Sequence, residues 1–93
     1  MIVGIIRIEL HIPLAHSLKE KRKVIQGLIG RARSRHNVSV SEVEYQDLWQ
    51  RAGIAIAAVG TSKRQMESMF DGILRDVEST SPAQVVGREI EFL

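Results

Sequence analysis

Apolar residues in this chain recur at two spacings, and the order in which those spacings alternate constrains the fold more than any other feature. Residues 1–12 alternate strictly. Ile2, Ile6, Ile8, Leu10 and Ile12 share one side, and Val3, Ile5, Arg7, Glu9 and His11 the other, which is the period of a strand; Pro13 ends it. From 17 to 35 the spacing becomes helical, with Leu18, Ile25, Leu28, Ile29 and Ala32 in one arc at 100° per residue. Residues 37–45 alternate again, but Val38 and Val40 are out of phase with Val43 and Tyr45, so a bulge near Ser41–Glu42 is expected. A third strand over 52–61 sets Ile54 and Ile56 against Gly53, Ala55, Ala57 and Val59. Met66, Met69, Phe70, Ile73, Leu74 and Val77 make a second helix over 62–78, and a turn at 79–82 leads into a last strand, QVVGREIEFL.

The order βαββαβ predicts an α+β, ferredoxin-like domain over residues 1–93, a four-stranded antiparallel sheet with both helices on one face. In that topology the first and third strands are central. Right-handed crossovers bring the loop after strand one and the loop between strands two and three to the same end of the sheet. Two distant stretches, HSLKEKR (16–22) and YQDLWQR (45–51), therefore become neighbours.

A chain of 93 residues buries only about 60–65% of its unfolded surface, which leaves little core to hollow out for a deep cavity. There is no cysteine, no apolar run approaches a membrane span, and the N-terminus reads as a strand rather than a signal peptide. A cytoplasmic protein without membrane contact is expected.

The net charge of +2 hides an asymmetry. Residues 16–36 hold Lys19, Lys21, Arg22, Lys23, Arg31, Arg33 and Arg35 against Glu20 alone, a net +6; the other positions hold six basic and ten acidic residues, a net −4. Such a segment is the pattern of a surface that meets polyanions. Ser17 and Glu20 form the S-x-x-E of a capping box and fix where the helix begins. The cations of its first two turns oppose the helix dipole, so helix stability does not account for them. Lys21 falls inside the buried arc between Leu18 and Ile25. Its stem must run over the sheet end, and two uses are open to its ammonium: an ion pair, with Asp47 as the candidate partner, or contact with an anion. Gly27 and Gly30 lie on the exposed side of this helix, either to admit a close partner or as tolerated substitutions.

The motifs SLKEKR (17–22) and QDLWQR (46–51), in a βαββαβ chain of this length, resemble the bacterial YlxP-like family, a domain family of unknown function. The likeness spans nearly the whole chain. It implies a ferredoxin-like fold, and because genes of the family often neighbour those for ribosome maturation and translation initiation factors, it implies a ribosome- or RNA-related role. It transfers no catalytic residue.

The second motif holds the only tryptophan. Trp49 is expected to lie over the end of the core, with a stacking platform for a base, or an anchor for a protein, as the alternative. In that alternative Gln50 and Arg51 contact base edges or phosphate. Base stacking on the sheet itself is disfavoured, because the open face of the central strands carries no aromatic residue. Its small apolar residues suggest a cover, and a homodimer through that face is expected, with Arg7 paired to Glu89 or Glu91 across strands.

Catalysis is not expected. His11, His16 and His36 are scattered without metal-ligand spacing, and no glycine-rich phosphate loop joins a strand to a helix. The reading is a non-catalytic module without cofactor or metal that binds RNA or the ribosome, with rRNA or the small ribosomal subunit as partner. The nucleic-acid surface comprises Lys19, Lys21, Arg22, Lys23, Arg31, Arg33, Arg35, Trp49, Gln50 and Arg51. A dimeric ferredoxin-like regulatory module that binds a small molecule or a protein is the alternative.

Overall fold

The first strand, β1 (Ile2–His11), turns Ile6, Ile8 and Leu10 entirely out of solvent, as its alternation requires, and the rest of the molecule is arranged around it. The computed structural model describes residues 1–93. It continues with α1 (Leu18–Arg35), β2 (Ser39–Glu44), β3 (Arg51–Gly60), α2 (Lys63–Thr80) and β4 (Gln84–Phe92). The strands are antiparallel in the order β2-β3-β1-β4. This is the predicted βαββαβ ferredoxin-like arrangement.

The core lies between the sheet and the two helices. Ile25, Leu28 and Ala32 of α1 and Met66, Phe70, Ile73, Leu74 and Val77 of α2 meet Ile6, Ile8, Leu10, Val40, Ile54 and Ile56 from the strands. Burial of each large aliphatic or aromatic side chain contributes about 1.5–3 kcal/mol. Serine hydroxyls cap both helices: Ser17 Oγ accepts from the Glu20 amide at 3.1 Å, and Ser62 Oγ from the Gln65 amide at 3.2 Å. The Glu20 carboxylate returns to the amide of His16, one residue before the position a capping box ordinarily serves.

Two bulges set the phase of the edge strands. In β2 the register against β3 slips between Glu42 and Glu44, so the bulge expected near Ser41–Glu42 is present, with Val43, which is exposed, as the extra residue. The cause is Glu42 itself, whose carboxylate is drawn to the helix side by Lys21; the phase can change only after it. In β4 a second slip leaves Val86 unpaired between Val85, opposite Leu10, and Gly87, opposite Glu9. The sequence carried that signal, since Val85 is in phase with Gly87 and Glu89 although it faces the core alongside Ile90 and Phe92. No helix is long and apolar enough to cross a membrane.

Candidate nucleic-acid interface

At one end of the sheet the loop after β1 and the β2–β3 loop are hydrogen-bonded into a single unit. The Ile12 amide donates to Gln50 O at 2.8 Å. The Gln50 side-chain amide donates to Pro13 O and Ala15 O, each at 3.1 Å. HSLKEKR and YQDLWQR are thus neighbours, as the topology predicts. Gln50 ties the loops together, which commits its side-chain nitrogen to the fold.

The seven cations of the first helix divide into three groups. Lys21 is fully buried; its ammonium lies 2.8 Å from the Glu42 carboxylate and donates to Tyr45 O at 2.6 Å. Its partner is Glu42 rather than Asp47, and no anion from outside can reach it. Tyr45, the one non-glycine residue with positive φ (60°), aims its carbonyl at this ammonium and also accepts the Leu48 amide at 3.0 Å, two bonds that offset the cost of a left-handed backbone. Arg31 and Arg35 converge on Asp76 of α2, at 3.5 and 2.8 Å, so they brace the helices, and the one carboxylate offsets one of their two charges. Lys19, Arg22, Lys23 and Arg33 remain. All four are exposed and none has a carboxylate partner, although Arg33 donates one bond to Val40 O at 3.0 Å.

Arg51 is committed as well. It binds both carboxylate oxygens of Glu9, at 3.0 and 3.1 Å, donates to the Tyr45 hydroxyl at 3.0 Å, and lies 3.8 Å above the Tyr45 ring. The hydrogen bond from Arg51, opposed by partial desolvation, holds the Glu9 carboxyl below its ordinary range, and the same bond raises Arg51. Arg7 pairs with Glu44 rather than with Glu89 or Glu91. Since Arg7 lies opposite Ala55 and Glu44 opposite Gly53, that pair passes over the smallest residues of β3. Long side chains from both neighbouring strands therefore cover Gly53 and Ala55, while Val59 further along the same face stays exposed. The hydrogen bond that Arg7 donates to Glu44 raises Arg7 in turn.

Trp49 does not close the core. It is 53% exposed and lines a shallow hollow of about 700 Å3 with Leu48, Val86, His11 and Asp47, over Glu9 and Arg51. No residue of α1 takes part, so the hollow opens on the sheet face while Lys19, Arg22 and Lys23 belong to the helix layer. The expected single surface is two surfaces that meet at one end of the molecule. Sequence reasoning missed Glu42, Tyr45, Leu48 and Val86; the phase breaks in β2 and β4 were the signals available. No group of three or more His, Asp or Glu is placed to hold a metal ion.

Residues 3–90 match the family described as "Protein of unknown function (DUF503)". The chain belongs to this family. A relative from Bacillus subtilis (strain 168), the uncharacterized protein YlxP, is 42% identical over 77 residues, covering 83% of this chain and 84% of that protein. Among solved structures, a de novo designed protein with a ferredoxin fold superimposes with a TM-score of 0.62 at 11% identity, covering 98% of this chain and 86% of the other. A structural-genomics protein, YJCS, gives 0.57 at 13% identity over 96% of both chains. These two likenesses show the fold alone. The DUF503 match and the YlxP relative carry the family and assign no activity.

Proposed function

We propose that this DUF503 protein is a non-catalytic module that binds the phosphate backbone of RNA through the first two turns of α1. The observation that carries this reading is the state of Lys19, Arg22 and Lys23: exposed and without carboxylate partners, with Lys19 in the first turn, where positive charge weakens the helix that bears it. Arg33 extends the same surface toward the other end of α1. Charge held at a cost to the fold and left unneutralised within it is suited to a polyanion, whose condensed counterions are released on binding. Because the family resemblance points to ribosome maturation, RNA of the small ribosomal subunit is the partner to test.

The test is fluorescence anisotropy with a short labelled single-stranded RNA, titrated from about 50 to about 200 mM salt. Three phosphate contacts give a log–log slope of about −2, and the triple change K19E/R22E/K23E abolishes binding while leaving the circular dichroism spectrum intact. Affinity indifferent to that reversal, or no binding at the lowest salt, rejects the reading.

A further inference from the structure

The hollow at Trp49 is left unexplained by a phosphate-binding helix, since it opens on the other face of the sheet and has the opposite electrostatic character. Its charged lining is Glu9, Asp47 and Arg51, a net −1, and Arg51 is already held by Glu9 and Tyr45. The Asp47 carboxylate has no partner in the chain, and neither do Glu89 and Glu91. These last two are exposed and stand on the same face along β4, opposite Arg7 and Ile5. Every cation on this face is paired; three carboxylates are not. An RNA backbone is repelled from such a surface.

The walls define the ligand further. Trp49, Leu48 and Val86 are all about half exposed, at 53, 47 and 56%, and the indole N–H donates to no group of the chain. An open indole beside an unpaired carboxylate, with aliphatic walls, suits a side chain that is long, partly apolar and cationic: the stem lies along Leu48 and Val86, and the head stacks on the ring. A second copy of this chain is a poorer occupant, because a two-fold contact through the face brings two sets of the unpaired carboxylates Asp47, Glu89 and Glu91 into one interface with no unpaired cation to offset them.

We infer that the Trp49 hollow is a docking site for a basic peptide segment of a protein partner, which lays a lysine or arginine against the indole with Asp47 as counter-charge. Glu89 and Glu91 take up further basic residues of the same segment along β4. This inference is independent of the RNA reading. If both hold, the molecule joins a polyanion on its helix layer to a basic protein on its sheet.

The sole tryptophan is its own reporter. The probe is the tryptophan-free peptide acetyl-Arg-Lys-Leu-Phe-Lys-Arg-amide, compared with acetyl-Glu-Asp-Leu-Phe-Glu-Asp-amide. A protein of net charge +2 attracts the acidic peptide if association is non-specific, so the comparison runs against the bulk charge. The basic peptide is expected to shift Trp49 emission saturably, more weakly in high salt. Asp47→Asn is expected to weaken it about tenfold, as loss of one partner of a charge pair does. Trp49→Ala, followed by anisotropy of a labelled peptide, is expected to lose binding, while K19E/R22E/K23E retains it; that last result separates this surface from the RNA-binding one. Equal response to both peptides, or none, overturns the inference. So does a Trp49 shift that grows with protein concentration alone and accompanies a dimer in sedimentation, or one produced by RNA that the basic peptide does not displace.

Discussion

The ammonium of Lys21 lies 2.8 Å from the carboxylate of Glu42, across the space between α1 and the bulge of β2. The same ammonium donates to the carbonyl of Tyr45, where the β2–β3 loop begins. One buried cation thereby sets the position of the bulge, the left-handed turn at Tyr45, and the attachment of the first helix to the loop bearing Trp49. It acts as a structural strut under both candidate surfaces rather than as part of either.

Removing one partner of a buried pair leaves an uncompensated charge. Lys21→Met is therefore expected to cost about 3 kcal/mol, while the double change Lys21→Met/Glu42→Leu recovers at least about 1 kcal/mol of it. Urea denaturation of the two single variants and the double variant measures the coupling; additive losses would mean that the pair has no interaction of its own.

Gly53 and Gly30 should respond to alanine with opposite signs. A Cβ at Gly53 would stand 2.7 Å from Cβ of Glu44 on the neighbouring strand, whereas one at Gly30 meets nothing within 4 Å. Gly53→Ala is expected to destabilise by about 1–3 kcal/mol through overpacking, and Gly30→Ala to stabilise by about 0.5–1 kcal/mol through helix propensity. Thermal melts of both variants check the signs.

The depressed Glu9 carboxyl makes stability depend on acid. A carboxyl whose folded pKa lies below its unfolded value contributes stability that is fully present above the unfolded value and disappears as pH falls through the folded one. The bond from Arg51 is the leading cause. Glu9→Gln should thus be less stable than the parent at neutral pH, with the gap closing as pH falls through the lowered folded-state midpoint of Glu9, where that carboxyl is itself protonated. Arg51→Gln should return the Glu9 midpoint to the ordinary carboxylate range in an NMR titration.

How far the sequence can be read depends on how local the determinant is. The strand and helix periods are local, and the architecture follows from them; the buried place of Lys21 between Leu18 and Ile25 is equally local, and the structure agrees. Its partner was not legible, because Glu42 faces the helix only when β2 bulges after it and not before it. The pairing of Arg31 and Arg35 depends on α2 delivering Asp76 to α1, and no spacing within α1 carries that. Trp49 follows the same rule: its exposure is set by the side the loop turns toward, which is decided by Gln50 bonding to Pro13 O and Ala15 O and by Lys21 holding Tyr45 O.

Lys19 distinguishes a functional cation from a merely solvated one. It is the second helical residue after the Ser17 cap, within the turn where the helix dipole acts, and reversal of its charge removes an unfavourable interaction and adds a favourable one of about 0.3–1 kcal/mol each. Lys19→Glu is therefore expected to stabilise the fold by about 0.5–2 kcal/mol and, in the same preparation, to weaken RNA binding and flatten its salt dependence by the contribution of one phosphate contact. Lys23→Glu lies beyond the first turn, so it should weaken binding similarly with little change in stability. Urea melts and anisotropy on both variants measure the two effects. A stabilised Lys19→Glu protein that binds RNA as the parent does would leave its charge without the role assigned to it.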